Sequence, residues 1–127
     1  MNESKVFRDP VHGYIHIDDP IIWDLLSCRE IQRMRRIHQL GGAFMVYHGA
    51  EHSRFSHSLG VYEVARRMVN EVKGLRENIT EQERIAVLCA GLLHDIGHGP
   101  FSHFFEKLSE TDHEKMGCGL ILYEYSE

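Results

Sequence analysis

The spacing of apolar residues along the chain predicts a mainly α-helical fold. Apolar side chains recur every three to four residues through most of the sequence, and glycine or proline separates the periodic segments. The predicted helices are one beginning at 19–20, then 29–40, 57–73 and 81–95, one beginning at Pro100 and one from 111 to the end of the chain.

The segment 81–95 is apolar nearly all round, so it is expected at the centre of a helical bundle. Thr80 and Glu83 fit a capping box at its start. By contrast, 5–17 predicts a short β-hairpin or extended arm, because the turn residues Asp9, Pro10 and Gly13 separate two short apolar runs. We therefore expect an arm at 1–18 and one helical domain at 19–127.

Composition and charge narrow the class of protein. The chain has 127 residues, 43% of them hydrophobic, as in an ordinary globular domain. A net charge of -5 argues against binding to long nucleic acids. No stretch is long and apolar enough for a membrane span and no signal peptide is evident, so a cytoplasmic protein is expected. The three cysteines are far apart, which favours neither disulfides nor a cysteine zinc site.

Ten histidines are the unusual feature of the composition, and several adjoin carboxylates. His94 and Asp95 end the apolar helix, where a charged pair is costly unless something compensates it. Packing of the two helices would bring His57 to the same place, and the three side chains could bind one divalent cation. Mixed imidazole and carboxylate ligands favour Mn, Fe, Ni or Zn over Mg. The alternative for a His-Asp pair is a hydrogen-bonded helix end.

Other residues near these histidines suit a phosphorylated ligand. Arg54 lies three residues before His57, and a guanidinium fits phosphate oxygens, although a surface arginine is the alternative. Gln39 and Leu40 precede a glycine pair that would allow a ligand close to the backbone, or would simply end a helix. The run HDIGHGPFSH (94–103) places further histidines at a forced turn, which is difficult to explain by packing alone.

These motifs together resemble the HD-domain deoxynucleoside triphosphate triphosphohydrolases. The matching segments, in order, are KVFRDPVHGYIHI, QRMRRIHQLGG, RFSHSLGV, LLHDIGHGPFSH and DHE. The resemblance covers nearly the whole chain. It implies an HD-domain helical bundle, a bound divalent metal, hydrolysis of a dNTP to a deoxynucleoside and triphosphate, and a homo-oligomer, either a dimer or a tetramer.

The resemblance also implies roles for individual residues, each carried over by position. The implied metal ligands are His57, His94 and Asp95; the implied catalytic residues are His98, His103, His113 and Glu114, the last orienting a histidine; the implied substrate contacts are Gln39, Leu40 and Arg54. Positions of a regulatory site for an activating nucleotide, in the arm and the second helix, are matched by Lys5, Val6, Asp9, Gln32 and Arg35.

The chain departs from the family pattern in two places. The family's fourth metal ligand is a downstream aspartate with no counterpart here, and Gly117 and Gly119 interrupt the last predicted helix, so a C-terminally truncated domain is expected. Ser27 stands where the animal enzyme has a guanine-reading aspartate, which leaves guanine selectivity open.

Two other functions remain open from the sequence. One is an HD phosphohydrolase acting on a nucleoside monophosphate, a cyclic dinucleotide or an alarmone. The other is a truncated nucleotide-binding or oligomerisation module without activity. The HGPFSH and QLGG segments favour the dNTP hydrolase over the first, whereas the missing aspartate favours the second.

Overall fold

The computed structural model describes residues 4–122, and the predicted fold class, mainly α with a short hairpin, is confirmed. The elements are β1 (Lys5–Asp9), β2 (Gly13–Ile17), α1 (Pro20–Ser27), α2 (Arg29–Gln32), α3 (Arg54–Glu71), α4 (Lys73–Asn78), α5 (Glu81–Leu93), α6 (His103–Ser109) and α7 (His113–Ile121). Three short 3₁₀ helices span Arg33–Arg36, Ala43–Met45 and His48–Ala50. None of the helices within 4–122 is long and apolar enough to cross a membrane.

The N-terminal hairpin is antiparallel, with Lys5 opposite Ile17 and Asp9 opposite Gly13. Its turn is fixed by the Asp9 carboxylate, which accepts the backbone N–H groups of residues 11 and 12 at 2.9 Å each. Strand β2 alternates between solvent and interior, so Ile15 and Ile17 enter the core. The hairpin is thereby packed onto the helical part of the chain.

The second predicted helix, 29–40, is wrong in its C-terminal half. Helix α2 gives way to the 3₁₀ helix Arg33–Arg36, and Ile37 is already extended, with φ -114° and ψ 114°. Hydrogen bonds to the start of α3 replace the helical ones: Arg54 N donates to Ile37 O at 2.7 Å and Gln39 N to His52 O at 3.0 Å. These long-range bonds outweigh the helical periodicity.

Helices α3 and α5 pack against each other and carry much of the core. Helix α3 begins at Arg54, three residues earlier than predicted, because Ser53 accepts the Ser56 N–H as its N-cap. The predicted capping box of Thr80 and Glu83 on α5 is confirmed. The buried apolar side chains come from the hairpin, from the helices and from the residues just after α5; they include Ile15, Ile22, Leu26, Ile31, Met34, Phe55, Leu59, Tyr62, Leu88, Leu92 and Ile96.

The prediction that α5 lies at the centre of the bundle is wrong for the described residues. Leu88 and Leu92 are buried, but Ala86 and Ala90 are exposed and Val87 is 42% exposed. One face of α5 packs against α3, and no described element covers the other. The sequence predicted one helix ending at 73. In the structure α3 ends at Glu71, and the separate helix α4 that begins at Lys73 was not predicted.

The segment after α5 is a compact turn rather than a helix start. Pro100 does not begin a helix as predicted; α6 begins at His103, after Phe101 and Ser102 with φ values of 60° and 51°. Helix α7 begins at His113 with Asp112 as its N-cap, and the predicted helix beyond residue 122 lies outside the described residues.

Gly97 has a packing role where the turn after α5 meets α7. A Cβ on Gly97 would lie 2.0 Å from His113 O and 2.4 Å from Gly117 N, whereas a Cβ on Gly117 would meet nothing closer than 3.4 Å. Gly97 therefore allows the turn and α7 to approach backbone to backbone. This contact brings the N-terminus of α7, with His113, next to the end of α5.

Candidate metal and phosphate site

Three predicted ligands converge where α3 begins and α5 ends. His57 lies in the first turn of α3, His94 is the C-cap of α5, and Asp95 follows it. Asp95 Oδ2 is 3.4 Å from His57 Nε2 and 3.3 Å from His94 Nε2. One donor atom from each of the three residues lies within 4.8 Å of the others. The helix pairing thus brings together residues 37 positions apart in sequence, from 57 to 94.

The distances fit a shared cation. Donor atoms about 2.1 Å from one ion, at octahedral or tetrahedral angles, lie about 3.0–3.4 Å from each other. His94 Nδ1 is 2.8 Å from Gly91 O, so this nitrogen keeps a proton and Nε2 is the nitrogen that can present a lone pair to a metal. Two imidazoles and a carboxylate can therefore hold a divalent metal at this position, with the remaining coordination places left for other ligands.

The charges at the site suit a cation as well. Burial alone would raise the pKa of Asp95, but the neighbouring His94 and His98 imidazoles, together with Arg54, outweigh it and hold the pKa well below its usual range. Burial lowers the pKa of His57, whereas the hydrogen bond to Asp95 raises the pKa of His94. The carboxylate is therefore ionised at neutral pH, as metal binding requires.

Arg54 is buried, so the alternative interpretation of this residue as a surface arginine is wrong. Its residue is 5% exposed, and it lies one helical turn before His57 on the same side of α3. Arg54 Nη1 donates to Asp95 Oδ2 at 2.8 Å and Nε donates to Ser102 Oγ at 3.2 Å. The structure thus places the predicted phosphate contact beside the metal ligands, in an ion pair that the sequence did not predict.

Ser102 ties this arginine to the segment that carries Gln39. Its hydroxyl donates to His38 O at 3.1 Å, and its positive φ is a conformation that a non-glycine residue adopts only at a cost of about 1–3 kcal/mol. Gln39 Oε1 is 2.6 Å from His52 Nε2, and Leu40 is 54% exposed. Both predicted sugar contacts are therefore held near the turn, with Leu40 open to solvent.

A second cluster, the histidine cluster, consists of His98, His103, Glu106 and His113. The Glu106 carboxylate is 2.8 Å from His103 Nδ1 and 3.0 Å from His113 Nδ1, and it accepts the His113 backbone N–H at 2.8 Å. These contacts lower the pKa of Glu106 to about 2, and the hydrogen bond from the His113 backbone has the largest effect. His98 is 1% exposed, and its Nε2 is 3.4 Å from Asp95 Oδ1. His98 therefore connects this cluster to the metal ligands.

The ring geometry argues against one metal ion bound by both His98 and His113, although donor atoms of the four cluster residues lie within 4.8 Å of one another. The His98 and His113 rings are stacked, with centroids 4.0 Å apart and planes only 13° from parallel. Imidazole lone pairs lie in the ring plane, so two stacked rings cannot both direct them at one ion about 2.1 Å away. Both carboxylate oxygens of Glu106 are also already in contact with histidines.

Glu106 is the functional residue that sequence reasoning missed. Glu114 was expected to orient a histidine, but it is exposed, and within 4–122 the carboxylate that contacts His103 and His113 is that of Glu106. Glu114 contributes only its backbone N–H, to the Asp112 cap. The i,i+3 spacing of His103 and Glu106 on a helix is the signal that would have identified the pair.

The predicted regulatory residues fall into two groups. Lys5 lies over the Trp23 ring at 4.9 Å and Arg35 over the Phe55 ring at 3.9 Å, and both rings adjoin Phe7. Gln32 joins this group, accepting from Arg35 Nε at 2.8 Å, and Val6 is 48% exposed.

Asp9, the remaining predicted regulatory residue, lies two residues after Phe7 at the end of β1. It closes the hairpin turn and lines a cavity of about 560 Å³ that His57 also lines.

Comparison with known proteins assigns the family. The HD domain model matches residues 54–125, more than half of the chain, and this range includes the candidate metal ligands and the histidine cluster. The chain belongs to the HD domain family. This confirms the family expected from the sequence motifs.

Individual relatives and a solved structure are similar to this chain over most of its length. YwfO of Bacillus subtilis is 57% identical over 122 residues, which cover 96% of this chain and 28% of that protein. The deoxynucleoside triphosphate triphosphohydrolase SAMHD1 of Gallus gallus is 48% identical over 104 residues, which cover 80% of this chain and 17% of that protein. A phosphohydrolase structure from Bacteroides thetaiotaomicron superposes with a TM-score of 0.89 at 38% identity, covering 96% of this chain and 31% of that one. The chain thus spans less than a third of each.

Proposed function

We propose that this chain forms the metal- and phosphate-binding part of a hydrolase that cleaves dNTPs to deoxynucleosides and triphosphate. The observation that carries the proposal is the arrangement around Asp95. Its two oxygens face different groups: Oδ2 faces His57, His94 and Arg54, and Oδ1 faces His98. The similarity to SAMHD1, which is named for this reaction, supports the choice of substrate.

The reaction needs three things at the α-phosphorus: a nucleophilic water, charge neutralisation and a proton for the leaving 5′ oxygen. A divalent metal bound by His57, His94 and Asp95 would supply a polarised phosphoryl oxygen or an activated water. Arg54 neutralises charge on the triphosphate, because a guanidinium can donate to two phosphate oxygens at once.

The proton comes from the histidine cluster. Protonated His98 donates to the departing 5′ oxygen as the bond from phosphorus to that oxygen breaks. Water adds to phosphorus in the same step, so the products are the deoxynucleoside and triphosphate. Glu106 holds His103 and His113 in place through their Nδ1 atoms, which leaves the Nε2 atom of each, in the imidazolium form, to donate to phosphate.

The sugar and base have space beside the metal ligands. The cavity of about 560 Å³ next to His57 has apolar walls from α3 and the hairpin, including Val11, Val61 and Met68. Gln39 and Leu40 adjoin the turn that Ser102 anchors, and we assign them to the deoxyribose. An activating nucleotide at Lys5, Gln32 and Arg35, and a homo-oligomer, are part of the same proposal.

Product analysis tests the proposal. The chain, and any longer product of its gene, is incubated with each dNTP and Mn²⁺, and products are resolved by anion exchange and phosphorus NMR. We expect triphosphate and deoxynucleoside in equal amounts. His94→Gln is expected to lower the rate by at least about 100-fold, since it removes a ligand of the metal. His48→Gln is the matched control, because His48 is exposed on a 3₁₀ helix and belongs to neither group of candidate ligands.

Two other outcomes would each favour an alternative function. Release of phosphate or diphosphate, or turnover of monophosphates, cyclic dinucleotides or alarmones alone, would indicate a different HD phosphohydrolase. Calorimetric binding of dGTP without turnover, in the chain and in any longer product, would indicate a nucleotide-binding module. Comparing the two lengths is informative because the family's fourth metal ligand, a downstream aspartate, has no counterpart in this chain.

A further inference from the structure

Arg33 makes a long-range contact with the turn that carries His98. It is the first residue of the 3₁₀ helix Arg33–Arg36, and its guanidinium reaches residues more than 60 positions later. Arg33 Nη1 and Nη2 donate to His98 O at 2.9 and 2.7 Å, and Nη2 also donates to Ile96 O at 3.2 Å. One guanidinium therefore holds the two carbonyl groups that flank Gly97.

These carbonyls have few other ways to be satisfied. They follow the end of α5, where backbone oxygens lose their helical partners. Charge-assisted bonds from a guanidinium are shorter and about twice as strong as neutral ones. The planar fork also fixes the orientation of the peptide planes, which a single-point donor does not.

The His98 side chain lacks comparable anchors of its own. Its Nδ1 is buried without a hydrogen-bond partner, and Glu106 Oε1 is 3.9 Å away. Its Nε2 faces Asp95 at 3.4 Å, which is long for a hydrogen bond. The ring stacks on His113, but no short hydrogen bond fixes it, so its position also depends on the His98 backbone, which bonds to Asp95 O at 3.1 Å and to Arg33.

We propose that Arg33 is a positioning residue for His98, holding the turn so that the imidazole lies between Asp95 and the histidine cluster. The expected loss of activity rests on the proposed hydrolase function, whereas the expected movement of the His98 ring does not. Loss of the clamp frees the peptides on both sides of Gly97, and the ring of His98 shifts while His57 and His94, anchored in α3 and α5, stay in place.

The test compares Arg33→Gln with Arg36→Gln in the 127-residue chain. Arg36 lies on the same 3₁₀ helix and lines the same cavity of about 670 Å³, so both variants remove one positive charge from one wall. Imidazole nitrogen NMR of the metal-free chain reports each histidine separately. We expect Arg33→Gln to move or broaden the His98 signals, with His57 and His94 unchanged, and Arg36→Gln to leave all three in place.

Kinetics provide the second readout. Arg33→Gln is expected to lower kcat about 10- to 100-fold, the usual effect of a misplacement of roughly 1 Å, with KM and Mn²⁺ affinity changed less than about threefold. Arg33→Lys should recover only part of kcat, because an ammonium lacks the fork. Arg36→Gln should stay within about twofold of the unsubstituted chain.

The proposal is overturned if the His98 signals of Arg33→Gln match those of the unsubstituted chain, or if all histidine signals move together with a collapse of the fold. Equal kcat values for the two glutamine variants would overturn it as well. If the unsubstituted chain hydrolyses no dNTP, the proposed function fails for this chain, and the NMR comparison alone decides the role of Arg33.

Discussion

The contact between Gly97 and α7 gives a quantitative prediction for Gly97→Ala. The added Cβ would lie 2.0 Å from His113 O and 2.4 Å from Gly117 N. Non-bonded heavy atoms settle at roughly 3.5–4.0 Å, so the overlap exceeds about 1 Å. Both contacted atoms belong to backbone, so no side-chain rotation relieves the clash. Either the turn or α7 must move.

The expected cost follows from studies of overpacked cores. Forcing extra methylenes into a packed site costs about 1–3 kcal/mol, occasionally more, and two backbone contacts place this site at or above the upper end. The smaller entropy of the unfolded alanine chain returns about 0.4–1 kcal/mol. A net loss of about 2–3 kcal/mol corresponds to a melting temperature roughly 8–12 °C lower for a domain of this size.

Thermal unfolding followed by circular dichroism, in EDTA, measures this change. Gly74→Ala is the matched control, because nothing lies within 4 Å of its Cβ position in the short helix α4. The control should be neutral or slightly stabilising, since alanine is the better helix former. A Gly97→Ala melting temperature within about 2 °C of the Gly74→Ala value would refute the backbone-to-backbone packing of the turn on α7.

Three further predictions concern the metal ligands, the histidine cluster and the core. Mn²⁺ at 100 times its dissociation constant should stabilise the chain by about 2.7 kcal/mol, and His94→Gln should abolish this shift in a thermal scan. The folded-state pKa of Glu106 is depressed to about 2 from 4.5, so its stabilising effect is present above pH 4.5 and is lost as the pH falls towards 2. The melting-temperature difference between the unsubstituted chain and Glu106→Gln should therefore shrink between pH 5 and pH 3, and a constant difference would contradict the His113 contact. Leu88→Ala should cost about 2–5 kcal/mol in urea unfolding, whereas Val87→Ala, on the exposed face of α5, should cost less than about 0.5 kcal/mol.

The sequence predicted those parts of the fold that depend on local signals. Pro20 at a helix start, the Thr80 capping box and the turn after α5 are each determined within a few residues, and the structure has all three. The segment 29–40 failed because its last part forms long-range backbone bonds with Arg54 and His52, which periodicity cannot reveal.

The candidate site was predictable to a similar extent. The motifs identified His57, His94 and Asp95, and helix packing then explained how two distant segments meet. The sequence could not show that Arg54 pairs with Asp95, because that depends on a distance across two helices. The choice of Glu106 over Glu114 as the partner of His103 rested on an i,i+3 spacing that is informative only once a helix is known to begin at His103.

The pairing of Arg54 with Asp95 explains how this site can be organised within a folded chain before any ligand binds. An ionised carboxylate that is 5% exposed is costly without compensation, and removing one partner from such a pair costs about 3–5 kcal/mol. Arg54 supplies the compensating charge at Asp95 Oδ2, the same oxygen that faces both metal-ligand histidines. A cation between these three ligands and a phosphate at Arg54 would satisfy the carboxylate and the guanidinium separately. The Asp95 carboxylate can thus be neutralised either by Arg54 or by a metal, and the packing of α3 against α5 allows each of the two arrangements.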